Sequence, residues 1–158
     1  MTSKPKTNYI PKGFHTATPY LIIKDAASAI EFYKKVFGAT EIESIKDAEG
    51  KVRHAEIRIG DSPFMITDES PEYPEWQGPL TRGGTPVHLY LYVEDVDAVY
   101  ERAIAEGAKE LLPGGVKDQF YGDRTGGVTD PYGHIWYIAT HIEDVSPEEI
   151  ERRIAEPH

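Results

Sequence analysis

The chain has 158 residues, of which 39% are hydrophobic, 11% aromatic and 28% charged, so it is long enough for one globular domain or two small modules sharing a core. Twenty-seven acidic side chains against seventeen basic ones give a net charge of −10, which excludes the basic footprint that a phosphate backbone requires. With no cysteine, disulfides, thiolate metal sites and a cysteine nucleophile are excluded as well. No apolar run reaches the roughly eighteen residues a membrane helix needs, and the first thirteen residues hold no apolar signal-peptide core. A cytoplasmic protein is expected, with neither nucleic acid nor membrane as partner.

Residues 1–13 are polar and carry prolines, and read as a flexible N-terminal arm. A first module is expected over 14–68. Thr18–Ile23 is short and rich in β-branched and aromatic residues, as a strand is. Asp25 then stands where a helix N-cap would, ahead of Ala26, Ala29, Ile30, Tyr33, Val36 and Phe37 at helical spacing, and Gly38 closes that helix. Thr40–Lys46, Val52–Ile59 and Pro63–Asp68 follow as strands separated by turn-forming tracts. The order is β-α-β-β-β.

Residues 69–87 hold four prolines, three glycines and Trp76, and read as a linker or a partly ordered flap. A second module over 88–141 lies on the first with a shift of seventy residues: Thr18 on His88, Tyr20 on Tyr90, Leu21 on Leu91, Ile23 on Val93 and Asp25 on Asp95. Its helix is expected over Asp95–Glu106, with strands near Lys109–Leu112, Thr125–Thr129 and Ile135–His141. In residues 142–158, Ser146, Pro147 and Glu149 form a capping-box pattern that opens a short helix through about Ala155.

Alternation sorts each strand into two faces. Leu21 and Ile23, Ala55, Ile57 and Ile59, and Leu89, Leu91 and Val93 suit packing under helices. Thr18, Tyr20 and Ile22, His54, Glu56 and Arg58, His88, Tyr90 and Tyr92, and Tyr137, Ala139 and His141 share the other side. That side is amphipathic and aromatic, as a pocket for a small organic molecule is. Phe120, Tyr121, Asp123 and Arg124 precede the next strand and suit its rim, with Arg124 either a ligand anchor or a structural ion pair. Glu56 and Arg58, two apart, are placed to pair with each other.

The two β-α-β-β-β units, the string P-Y-L-I-I-K-D-A-A-S-A-I-E-F-Y-K-K-V-F-G-A and the closing Y-G-D-R-T-G-G-V-T-D-P-Y-G-H-I-W-Y-I-A-T-H-I-E-D-V-S-P-E-E resemble the vicinal oxygen chelate superfamily. This superfamily includes glyoxalase I, bleomycin-resistance proteins and extradiol dioxygenases, and the resemblance is nearest to its PhnB-like branch. It implies an α+β fold in which two tandem βαβββ modules form a curled mixed sheet around a concave cleft, helices outside, and a homodimer. It also implies four metal-ligand positions. Those correspond to Thr18, Met65 (Thr67 if the register shifts by two), His88 and Tyr137, and His88 alone carries a customary ligand. Of the remaining histidines, His15, His54, His134, His141 and His158, spacing argues against most: His15 points to the other face, His134 belongs to a turn and His158 is terminal, and His54 and His134 read as hydrogen-bonded strand-end or turn residues.

A small organic ligand bound without metal or other cofactor is therefore expected. Thr18, Tyr20, His54, Glu56, Met65, His88, Tyr90, Tyr92, Phe120, Tyr121, Arg124 and Tyr137 are the candidate contacts, and the negative charge favours a cation. The alternative is a lyase or isomerase resembling glyoxalase I, metal-dependent or metal-free, with His88 as ligand or base. Sequence leaves open whether the chain is an enzyme.

Overall fold

The computed structural model describes residues 3–157. Met1 and Thr2 of the expected arm, and the terminal His158, lie outside the described residues. The chain divides into two compact units, with the boundary between Trp76 and Gln77.

In the first unit, strand β1 (Tyr20–Ile23) leads into helix α1 (Ala26–Phe37), followed by β2 (Thr40–Lys46), β3 (Val52–Ile59) and β4 (Ser62–Asp68). The sheet order is β1-β4-β3-β2, with β1 parallel to β4 and the other pairs antiparallel. Burial alternates as the sequence requires: Leu21, Ile23, Ala55, Ile57, Phe64 and Ile66 are buried, and so are Ala26, Ala29, Ile30, Tyr33 and Val36 of α1. Asp25 caps α1 through Ser28 N–H from a left-handed backbone conformation, and Gly38 ends it with φ +69°. The helix start is fixed a second time by Asp68, whose carboxylate accepts from the backbone N–H groups of Ala26 and Val52, both at 2.7 Å.

The second unit repeats this plan. A four-residue helix α2 (Pro79–Arg82) precedes β5 (His88–Tyr92), α3 (Val96–Ala105), β6 (Lys109–Glu110), β7 (Lys117–Asp118), β8 (Asp123–Thr129) and β9 (Ile135–His141). The sheet order is β5-β9-β8-β6, with β5 parallel to β9, and β7 also pairs with β8. Thus β6 and β7 are one strand interrupted by a loop, where the sequence indicated a single strand over Lys109–Leu112. The two-glycine run in β8 has a packing reason. A Cβ on Gly126 would come within 2.6 Å of the Tyr100 ring of α3, so the glycine is the notch into which that ring fits. Thr140, at the position of Asp68 in the repeat, accepts from Val96 N–H at 3.0 Å and so fixes the start of α3.

In the two remaining segments one side-chain contact departs from expectation. The 69–87 segment contains α2, whose Pro79 is buried. The final helix α4 (Pro147–Ala155) is capped by the Ser146 hydroxyl through Glu149 N–H. The Glu149 carboxylate does not complete a capping box; it binds the guanidinium groups of Arg152 and Arg153, whose charge outcompetes a backbone N–H. Among the described residues no helix is long and apolar enough to cross a membrane.

Candidate functional site

On the side of the second sheet away from α3, register sets the side chains in rows. Tyr90 lies opposite Tyr137, which lies opposite Gly127; Tyr92 lies opposite Ala139, which lies opposite Thr125; and His141 lies opposite Asp123. His88 stacks on Tyr137 with ring centroids 5.4 Å apart, Tyr137 on Tyr90 at 6.1 Å, and Tyr90 meets Tyr92 at 5.3 Å. Four rings form one continuous aromatic strip. Gly127 lets Leu111 close over the sheet beside Tyr137, since a Cβ there would meet Leu111 at 3.1 Å.

Asp123 anchors the strip. It is only 3% exposed, yet its Oδ2 accepts from the hydroxyls of Tyr90 at 2.7 Å and Tyr92 at 2.9 Å, and its Oδ1 lies 2.7 Å from His141 Nδ1. The tyrosines reach it across β9 because Ala139, which lies between, is too short to block them. His141 spans outward to Asp144 through Nε2 at 2.7 Å, and the Tyr121 hydroxyl lies 3.3 Å from that of Tyr90.

The charges follow from this wiring. Burial alone raises the Asp123 carboxyl, but the hydrogen bonds from His141, Tyr90 and Tyr92 together outweigh it and hold its pKa below the ordinary value. Asp144 first, and then Asp123, raise His141. Burial, then Tyr121 and Asp123, pushes the Tyr90 phenol far above its ordinary range, and the Asp123 bond raises Tyr92. The phenols therefore stay protonated and donate inward.

Of the candidates on this face, Tyr90 and Tyr92 bond to Asp123 and Tyr121 lies against Tyr90; Tyr137 and His88 continue the stack away from it, and Phe120 meets Tyr121 edge-on at 5.2 Å. Arg124 does not join them. Alternation turns it toward α3, where Asp97 takes it in two bonds of 2.8 and 2.9 Å and Asp118 in a third of 3.0 Å. Strand β8 begins two residues before the expected Thr125, and carried back to Asp123 the same alternation puts it on the tyrosine face. Asp144 carries no sequence signal, since it lies beyond the strand.

In the first unit Tyr20, Met65 and Glu56 form one row of the sheet. Tyr20 stacks on His54 at 6.0 Å and meets Trp76 edge-on at 5.4 Å. Glu56 pairs with His54 at 3.2 Å and not with Arg58, whose guanidinium is turned against Gly13. Thr18 precedes β1 and is half-buried.

The implied metal positions do not fit a divalent ion. Thr18 offers a hydroxyl, Met65 a thioether, and Tyr137 a phenol whose ring is stacked against two others, whereas a catalytic zinc takes three ligands of imidazole, thiolate or carboxylate type. Thr67, the alternative to Met65, donates its hydroxyl to the Arg53 carbonyl at 3.0 Å. Among the described residues, no group of three or more His, Asp or Glu side chains is arranged to hold a metal ion.

Residues 13–138 match the family model of the Glyoxalase/Bleomycin resistance protein/Dioxygenase superfamily, and the chain belongs to that family. The uncharacterized protein Rv0887c of Mycobacterium tuberculosis is 40% identical over 136 residues, covering 85% of this chain and 79% of that protein. Among solved structures, TioX from Micromonospora sp. ML1 is 25% identical with a TM-score of 0.60, covering 84% of this chain and all of TioX. The PhnB protein from Bacillus cereus shares the fold at 21% identity and a TM-score of 0.63, covering 80% of this chain and 99% of that one.

Proposed function

We propose that the chain binds a small, flat, cationic organic molecule on the tyrosine face of its second unit, without a divalent metal. One observation carries the reading: Asp123 accepts hydrogen bonds from the hydroxyls of Tyr90 and Tyr92, so their oxygens present only lone pairs outward. A face of stacked rings whose polar groups are acceptors matches a planar ligand edged with N–H donors, such as an amidinium or an aminated heteroaromatic ring. Exposure supports this, since Tyr90 is 44% and Tyr92 62% exposed although both hydroxyls are bonded. The net charge of −10 attracts the same ligands. A homodimer and a cytoplasmic location belong to the same proposal; a monomer in sedimentation at micromolar concentration removes the dimer.

The test is a titration of tyrosine-ring-labelled protein with benzamidine, aminoacridine and neutral benzamide, followed by NMR. The cations should shift the rings of Tyr90, Tyr92 and Tyr137, benzamide should shift them far less, and EDTA should change nothing. Equal response to benzamide, or loss of binding in EDTA, refutes the reading.

A further inference from the structure

We propose that the first unit carries a site for an alkylated ammonium group, built from Tyr20, Trp76, His54 and Glu56. Two rings meeting at a right angle make the corner of a cation cage, because a compact cation seated in the corner faces π-density from both. Tyr20 and Trp76 have this geometry, with centroids 5.4 Å apart and planes at 90°, and they are 37% and 36% exposed.

The corner is built in advance. Trp76 N–H donates to the Tyr73 carbonyl at 2.9 Å and Ser70 N–H to the Trp76 carbonyl at 3.3 Å, so a closed loop plants the indole over β1. On its other flank Tyr20 stacks on His54, and His54 Nε2 lies 3.2 Å from Glu56 Oε1. The Glu56 side chain is only 17% exposed, so its charge is poorly screened by water. Between Tyr20 and Glu56 the sheet places Met65, a polarizable thioether suited to N-methyl groups.

The neighbouring cation does not occupy the corner. Arg58 shares the face of His54 and Glu56 by alternation, but its Nη2 would lie 2.6 Å from a Cβ on Gly13 and is thus packed on that glycine. A metal ion is not the match, for the two rings supply no lone pair suited to it. An anion would face the Glu56 carboxylate. The chemistry left is a soft, weakly hydrated cation with methyl groups, whose desolvation the aromatic corner offsets.

The experiment titrates the 15N-labelled full chain with choline and with 3,3-dimethylbutan-1-ol, its neutral isostere, and follows the indole N–H signals. The chain has two tryptophans. Trp136 is fully buried and acts as the internal reference, while Trp76→Phe assigns the reporting peak. Choline should shift the Trp76 peak saturably and leave Trp136 in place, and the isostere should bind at least tenfold more weakly. Glu56→Gln, close to isosteric, and Tyr20→Leu should each weaken choline at least tenfold. Equal shifts by the isostere, unchanged affinity in both variants, or no saturable shift overturns the site. Because the reporter is Trp76, this outcome is read separately from the tyrosine rings of the second unit.

Discussion

Replacing Asp123 by Asn tests the wiring of the tyrosine face most directly. The change keeps the shape and one carbonyl acceptor, but removes the charge and turns an NH2 group toward one of three partners. Two phenol bonds, at 2.7 and 2.9 Å, fall from charge-assisted to neutral strength, a loss of about 1 kcal/mol each. The displaced amide N–H, buried at a position only 3% exposed, adds about 1 kcal/mol more. The sum is about 3 kcal/mol, or roughly 6–12 °C in Tm for a chain of this size.

The pH dependence separates this account from a generic loss of packing. Because the folded-state pKa of Asp123 is depressed, its contribution is present above the ordinary carboxylate value of 3.8 and is lost as pH falls through the lower folded value. His141 is raised, so its contribution is full below the ordinary 6.5 and is lost as pH rises through the higher folded value. Stability from the pair is therefore greatest between those two pH values. Urea denaturation at pH 5.5 and pH 9, read by circular dichroism, should show a larger gap between wild type and Asp123→Asn at the lower pH. A gap below about 1 kcal/mol, or one that does not change with pH, refutes the reasoning.

Three other substitutions test how the fold holds the site. Asp130→Ala strips an acceptor from Tyr132 N–H, His134 N–H and the Nε1–H of fully buried Trp136; it should cost about 3 kcal/mol and red-shift the tryptophan emission. Asp68→Ala removes the lock on Ala26 and Val52 and should cost about 2 kcal/mol, measured by urea denaturation, whereas Asp68→Asn should recover part of it. Gly133→Ala forces a side chain onto a φ of +90° and to 2.7 Å from the Pro79 Cβ, so it should cost about 2 kcal/mol or more and expose amides of α2 to hydrogen exchange.

The framework was legible because its signals are local and repeat. Strand alternation and helical spacing recur at a shift of seventy residues, and Thr40–Lys46, Val52–Ile59 and Ile135–His141 fall on their expected bounds. Asp25, Asp95 and Ser146 cap the helices they precede because a short oxygen-bearing side chain is fixed by the N–H three residues on. The interrupted strand β6 and β7 was not legible, since two-residue pairings carry no periodicity. The partners of polar groups were the least legible of all. Arg124 finds Asp97, 27 residues away, through the packing of α3 on the sheet, and Tyr90 finds Asp123, 33 residues away, through register across the sheet; neither follows from spacing along the chain.

The same rows also show how two copies of one plan acquire different chemistry. Tyr20 and Tyr90 occupy equivalent positions, but the row continues through Met65 to Glu56 in the first unit and through Tyr137 to Gly127 in the second. In the second unit the acid is moved to the end of the sheet as Asp123, where internal donors satisfy it and it orients the phenols. In the first, the acid stays in the central row as Glu56, paired with an imidazole, and in the proposed ammonium site its charge faces the cation. Exchanging Gly127 for Glu should therefore fail to transplant the first unit's chemistry. A Cβ at that position already meets Leu111 at 3.1 Å and Tyr137 at 3.4 Å, so the carboxylate would be driven into a filled space and the aromatic strip broken. Retention of the Tyr137 ring shifts in Gly127→Glu would contradict that account of why the two rows diverged.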